Sequence, residues 1–173
     1  MAQGRVMSKW CGSVAAAAVS FLVGCERSGT AVPAGFARAE IGGETFLLET
    51  AMDNETRTQG LSGREEIAAD GGMIFVFAVA QQQSFVMRDC LVPIDIVYVT
   101  DNQRVLNFHS MEVDPRRPNE PVMVYERRLK KYSSEGRVRL VIELAGGTVE
   151  RLGLAVGDRV VIEGLEGLKS AAR

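Results

Sequence analysis

Short apolar runs, separated by turn residues, extend through most of the chain. Residues 73–77 form a continuous apolar run, whereas residues 137–144 alternate between apolar and polar positions. Runs this short, rich in β-branched and aromatic residues, predict strands rather than helices. Gly42-Gly43 and Asp101-Asn102 each lie between two such runs and predict hairpins. The predicted strands are residues 36–41, 45–52, 73–77, 84–88, 94–100, 104–108, 137–144 and 159–163.

Two or three short helices are predicted between these strands. Asp53 can cap a helix over residues 54–59, because its carboxylate can accept the free amides of the first turn, and Gly60 can end that helix. Another helix is predicted over residues 145–152. Residues 111–136, which are rich in proline and charge, predict a long surface connection. Hairpins dominate, so the predicted fold class is α+β and β-rich, with a mostly antiparallel sheet or a partly closed barrel.

The first residues have the pattern of an export signal. Arg5 and Lys9 precede an uncharged, mostly apolar run over residues 10–24, which is shorter than the roughly 20 residues of a membrane span. The run ends in LVGC, which resembles a bacterial lipobox and predicts lipidation of Cys25. The alternative interpretation is a buried helix that contains a stray cysteine.

These signals divide the chain into four parts. Residues 1–24 are expected to be a signal peptide and residues 25–35 a lipidated, flexible tether. Residues 36–164 are expected to form a single β-rich domain, and residues 165–173 a frayed tail. The expected location is the cell envelope, where the N-terminal lipid would hold the protein on a membrane, facing the periplasm or the exterior.

Charge and composition bear on several classes of function. The formal net charge is only −2, so composition gives no general attraction to nucleic acid. One histidine, His109, and three cysteines are poor material for a zinc site. The sequence contains no phosphate-binding glycine loop and no dinucleotide fingerprint. We therefore expect no cofactor, no metal and no nucleic-acid partner.

Unusual polar residues are concentrated in one apolar stretch, residues 71–99. Arg88, Asp89, Cys90 and Asp95 lie within eight positions of one another. Because an unpaired buried carboxylate is costly, Asp95 needs a partner, and Arg88 is the obvious candidate. The functional interpretation is a carboxylate poised for acid–base chemistry or ligand binding, with Asp89 as a second carboxylate. The structural interpretation, an ion pair or a backbone-bonded carboxylate that fixes the proline corner before Asp95, is favoured.

Cys90 and His109 are weaker candidates. A nucleophilic cysteine needs a base beside it, and His109 lies on a different predicted strand. A free cysteine is more often a small buried apolar group, and this interpretation is favoured for Cys90. His109 is interpreted as structural.

Several phrases occur in a fixed order along the chain. They are GLSGR at residues 60–64, GMIFVF at 72–77, FVMRDCLVPIDIVYV at 85–99, IELAG at 142–146 and GLAVGDRV at 153–160. Together they resemble the family catalogued as domain of unknown function 192 (DUF192), over roughly residues 41–162. The resemblance implies a compact, β-rich and often exported domain with no established activity. The central phrase departs from the family pattern at four positions, where Val86, Arg88, Asp89 and Cys90 replace Trp, Lys, Asn and Thr.

The expected function is binding rather than catalysis. The sequence offers no complete pair of nucleophile and base and no metal cluster. The first hypothesis is therefore a non-catalytic, envelope-anchored accessory or binding lipoprotein that presents Arg88, Asp89 and Asp95 to an unknown envelope ligand or protein. The alternative is an envelope hydrolase that uses Asp89 or Asp95 with Arg88 as an electrostatic helper.

Overall fold

Seven strands form one mixed sheet in the computed structural model of the protein, which describes Met1 and residues 31–173. The strands are β1 (Phe36–Ile41), β2 (Glu44–Ala51), β3 (Met73–Phe85), β4 (Ile94–Val99), β5 (Val105–Met111), β6 (Tyr132–Ala145) and β7 (Val160–Ile162). The helices of the described residues are α1 (Asn54–Gln59), α2 (Val122–Arg128), α3 (Thr148–Leu152) and α4 (Leu165–Ala171).

The sheet curls so that its two edge strands approach each other. The strand order is β5-β4-β6-β3-β2-β1-β7, and all neighbours are antiparallel except β2 and β3. Arg104 and Arg159 form a bridge beside the two edges, and the Val105 amide donates to the Asp158 carbonyl over 2.9 Å. The result is a half-barrel. The predicted β-rich α+β class, with a mostly antiparallel and partly closed sheet, is confirmed.

Apolar side chains cover both faces of the sheet. One cluster, the inner core, receives side chains from all seven strands and from α3 and α4; its members include Ile41, Leu48, Ile74, Val97, Val105, Leu140, Val149, Val160 and Leu165. The other cluster, the outer core, lies on the opposite face; its members include Leu61, Phe75, Met87, Ile96, Tyr98 and Val141. Because both faces are covered, all six positions of β4 are buried.

The strongest local signals in the sequence form the predicted elements. Gly42 and Gly43 both have positive φ angles, 58° and 82°, and join β1 to β2 as a hairpin. The amide of Thr56 donates to Asp53 Oδ1 over 2.9 Å, so Asp53 caps α1 as expected. Helix α1 spans the residues predicted for it, and Gly60 follows it with φ 52°.

Two segments for which no helix was predicted contain one, and the prediction of a frayed tail was wrong. The predicted surface connection over residues 111–136 contains α2 and the start of β6. Arg128, the last residue of α2, donates to both carboxylate oxygens of Glu120, over 2.7 and 2.9 Å, and also bonds Asp114. The tail over residues 165–173 forms α4, since Leu165 is buried in the inner core.

The N-terminal predictions concern another part of the chain. The expected signal peptide and the expected lipidation site, Cys25, lie outside the described residues. Among the residues that are described, no helix is both long enough and apolar enough to cross a membrane.

Candidate functional site

A cavity of about 300 Å³ lies on the outer face of the sheet, beneath the C-terminal end of α1. Side chains from α1, β3, β6 and the loop between β3 and β4 surround it. The lining residues include Arg57, Phe75, Phe77, Gln83, Phe85, Arg88, Cys90 and Glu143. This volume is at the lower end of the range for small-molecule sites, about 300–1,000 Å³.

Glu143 places a carboxyl group at the inner end of this cavity. It lies near the C-terminal end of β6, opposite Met73 of β3 and Ile96 of β4, so its side chain shares the outer face with theirs. The residue is only 6% exposed, and its Oε2 atom has no hydrogen-bond partner among the described residues. Burial away from water raises the pKa of Glu143 to about 8.

Gln83 brings a second unpartnered polar group to the same cavity. Its side chain is 7% exposed, and Nε2 has no hydrogen-bond partner among the described residues. The register of β3 against β6 shifts once before this position, between Val76 and Gln81, and again across it, between Gln82 and Ser84. Such irregularities re-aim side chains within a strand. The cavity wall therefore combines a carboxyl oxygen of Glu143 and an amide donor of Gln83 that both lack partners among the described residues.

The thiol of Cys90 also lines the cavity, and it is a poor nucleophile there. Its Sγ atom lies 3.6 Å from the carbonyl oxygen of Arg88. Burial, with a further contribution from the Glu143 carboxyl, raises the pKa of Cys90 to about 11. The thiol therefore stays protonated at neutral pH, which removes the reactive thiolate form.

The expected ion pair between Arg88 and Asp95 does not form. The Arg88 guanidinium lies at the edge of the cavity and pairs with Glu126, with Nη1 and Oε1 3.2 Å apart. Asp89 is exposed in the same loop at φ 53°, and its amide donates to the Tyr125 hydroxyl over 2.9 Å. Arg88 and Asp89 are thus neighbours at the surface, while only Arg88 lines the cavity.

Asp95 lies on the other face of the sheet, among inner-core residues. It is fully buried opposite Leu144, and its Oδ2 atom accepts the amide of Val149, in the first turn of α3, over 2.7 Å. The adjacent corner is fixed by the Gly146 amide, which donates to the Pro93 carbonyl over 3.0 Å. Asp95 therefore anchors α3 to β4, which agrees with the structural interpretation of this carboxylate.

His109 is held by structural contacts on β5. Its Nε2 atom lies 2.9 Å from the Ser133 carbonyl oxygen, and its ring packs beside the rings of Tyr98 and Tyr132. The histidine does not line the cavity that contains Cys90. Within the described part of the chain, no three residues of the types that ligate metals are grouped closely enough to hold an ion.

Glu143 and Gln83 were not among the candidates drawn from the sequence. The signal for Glu143 was a lone charge within VIEL, in the strand predicted over residues 137–144. The end of α1 covers Glu143: a Cβ atom added to Gly60 would lie 3.5 Å from Phe75 and 3.7 Å from Glu143 Oε2. For Gln83 the sequence gave no signal, because three consecutive glutamines resemble a polar interruption.

The half-barrel and the partly open cavity on its outer face define a β-rich α+β domain with a candidate small-molecule site. The DUF192 family model, described as "Uncharacterized ACR", matches residues 37–162. The chain belongs to this family, as the resemblance in the sequence predicted.

Two solved structures are similar to the chain. A Sinorhizobium meliloti protein, provisionally assigned as a transcription regulator, is 26% identical with a TM-score of 0.62, over 75% of this chain and 93% of that one. A Novosphingobium aromaticivorans protein of unknown function is 26% identical with a TM-score of 0.60, over 73% of this chain and 82% of that one. No curated protein sequence matches the chain.

Proposed function

We propose that this protein is a lipid-anchored binding protein of the cell envelope and that the cavity beside Glu143 holds a small ligand. The observation that carries the proposal is the pair of unpartnered polar atoms, Glu143 Oε2 and Gln83 Nε2, on the wall of one cavity. A buried polar group without a partner costs about 1–3 kcal/mol. A ligand that forms hydrogen bonds with both groups would remove this cost, and the free energy recovered would contribute to its affinity.

Binding has more support than catalysis. The thiol of Cys90 stays protonated at neutral pH, and His109 bonds the Ser133 carbonyl and does not line the cavity, so it is not placed to act as a base for that thiol. The alternative is a hydrolase that uses Asp89 or Asp95 with Arg88. Asp95 bonds α3 on the opposite face of the sheet from Arg88, and Asp89, although it neighbours Arg88, is exposed and does not line the cavity. The proposed site therefore keeps Arg88 from the sequence-based candidates and adds Glu143 and Gln83.

The envelope location rests on the N-terminal sequence. The basic start, the apolar run over residues 10–24 and the LVGC phrase together favour export and lipidation of Cys25. In a strain that expresses the full chain, Cys25→Ser is expected to release the protein from the membrane fraction or to block its processing. Unchanged membrane fractionation and unchanged processing would contradict the anchor.

The ligand site is tested by thermal denaturation of the purified full-length chain against a defined panel. The panel contains amino acids, amines, short carboxylates, monosaccharides and nucleosides. At least one class is expected to raise the melting temperature of the wild type and to have a much smaller effect on Glu143→Gln. Glu112→Gln, which changes an exposed glutamate, is the matched control and should respond like the wild type. A panel with no binder, or a binder indifferent to Glu143, would contradict the proposal.

A further inference from the structure

We propose that the cavity recognises a small zwitterion, an α-amino acid, whose ammonium group bonds Glu143 and whose carboxylate faces Gln83 and Arg88. This inference rests on the proposed ligand-binding function and specifies its ligand. Two observations support the zwitterion: the charged groups and hydrogen-bond donors that line the cavity, and the positions at which these groups lack partners within the described residues.

Among the described residues, Glu143 supplies the only carboxyl group on the cavity wall. No lysine or arginine among the described residues forms an ion pair with it, and one of its oxygens has no hydrogen-bond partner there. An ionised carboxylate at such a site needs a cation beside it. A ligand ammonium provides both the positive charge and the hydrogen-bond donors that Glu143 lacks.

The remaining polar groups on the wall favour a negative group on the same ligand. Gln83 Nε2 can only donate, and it has no partner among the described residues. The Arg88 guanidinium is engaged through Nη1 in a half-exposed pair with Glu126, which leaves other N–H groups able to bond a carboxylate. Arg57 is more fully engaged, since it bonds the carbonyls of Val76 and Arg173.

The balance of charge distinguishes a zwitterion from simpler ligands. Two arginines, Arg57 and Arg88, line the cavity and would repel a ligand that carried only a positive charge. A ligand that carried only a negative charge would bring no ammonium to Glu143, whose Oε2 atom would still lack a donor. A molecule with one charge of each sign satisfies both ends of the site.

The apolar part of the wall and the size of the cavity narrow the ligand further. Phe75, Phe77 and Phe85 border the cavity, and Phe75 and Phe85 pack edge to face with their ring centres 5.0 Å apart. These rings can contact an apolar side chain of the ligand and the flank of its ammonium group. About 300 Å³ suits a single amino acid better than a peptide.

The test uses the purified full-length chain and isothermal titration calorimetry with each standard α-amino acid. The strongest binder is then compared with its amide, which lacks the carboxylate, and with its deaminated acid, which lacks the ammonium. If leucine binds best, these probes are leucinamide and 4-methylpentanoate. Both are expected to bind about tenfold or more weakly than the amino acid, because the amide offers no carboxylate to Gln83 and Arg88 and the deaminated acid offers no ammonium to Glu143.

Two variants separate the two ends of the ligand. Glu143→Gln is expected to weaken binding of the amino acid about tenfold or more. Arg88→Met is expected to weaken binding of the amino acid but to leave binding of its amide unchanged, because the amide has no carboxylate. Arg127→Met, which changes an exposed arginine of α2, is the matched control and should bind like the wild type.

The outcomes distinguish this inference from the broader function. If no amino acid binds, or if the amide or the deaminated acid binds as tightly as the amino acid, the zwitterion is the wrong class of ligand. Glu143-dependent binding of another class in the wider panel would then leave the proposed function standing. Failure of every class in that panel would overturn both proposals.

Discussion

Replacing Glu143 with glutamine should change how the stability of the protein depends on pH. The pKa of Glu143 is raised by burial from its ordinary value of 4.5 to about 8 in the folded protein. Between these two values the folded state keeps its proton and the unfolded state has released it. Stability therefore falls as the pH rises through this window, and the fall ends near pH 8.

The size of the effect follows from the width of the window. Each pKa unit corresponds to about 1.4 kcal/mol, so the full difference for Glu143 amounts to roughly 5 kcal/mol. Glutamine has nearly the same shape and does not ionise. The variant should match the wild type within about 1 kcal/mol at pH 4, where both states are protonated. At pH 9 it should be more stable than the wild type by several kcal/mol.

The assay is urea denaturation of the full-length chain at each pH unit from 4 to 9, followed by circular dichroism. Other groups titrate in this range, so the quantity to compare is the difference between variant and wild type at each pH. Glu112→Gln, at an exposed position, should show a difference close to zero throughout. A Glu143→Gln difference that does not change with pH would refute the burial of an unpaired carboxyl.

Three further results are expected. Asp95→Ala should lower the free energy of unfolding by about 1–3 kcal/mol in urea melts, because α3 loses a buried hydrogen-bond acceptor; wild-type stability would contradict the anchoring role. Gly72→Ala should lower the free energy of unfolding more than Gly43→Ala does. A Cβ added at Gly72 would lie 2.2 Å from a carbonyl oxygen of β6, whereas a Cβ added at Gly43 meets open space. Equal losses of unfolding free energy would contradict the close approach at Gly72. At pH 7.5, Cys90 should react with iodoacetamide far more slowly in the folded protein than in urea, because burial raises its pKa to about 11. Peptide mass spectrometry measures the two rates, and equal rates would contradict the burial of the thiol.

The elements with strong local signals were predictable from the sequence. The Gly42-Gly43 hairpin and the Asp53 cap depend on a few adjacent residues, so their residue types suffice to identify them. The boundaries of β3 did not follow in this way. The polar residues 81–83 suggested a break, whereas pairing with β6 continues the strand through them to Phe85 with two register shifts.

Elements that depend on distant contacts were missed. Helix α2 has no side-chain cap, and it is stabilised by the buried Tyr125 ring and by the pairing of Arg128 with Glu120. Helix α4 was read as a tail because its one buried anchor, Leu165, packs against an inner core that is assembled from strands far away in the sequence. Neither contact can be read from periodicity over a few residues.

The candidate site was only partly predictable for a related reason. Sequence proximity suggested that Arg88 pairs with Asp95, but the strand places Asp95 on the inner face while Arg88 lies in the loop before it. Glu143 was missed because a distant segment buries it. It is a lone charge in an alternating strand, and only the chain segment that ends α1 turns its face of the sheet into the wall of a cavity. The sequence identified the phrase at residues 85–99, which contributes Arg88 to the cavity wall, but it did not identify the Glu143 carboxyl of β6.

The most direct test of the proposed site is a ¹³C NMR titration of the Glu143 carboxyl in the full-length chain. Glu143→Gln identifies its resonance by the loss of one signal. The buried, unpartnered carboxyl described above predicts a midpoint near pH 8 in the ligand-free protein, and a ligand ammonium should lower that midpoint. A midpoint near the ordinary glutamate value of 4.5 would show that the carboxyl is solvated or already paired, and it would contradict the proposed site.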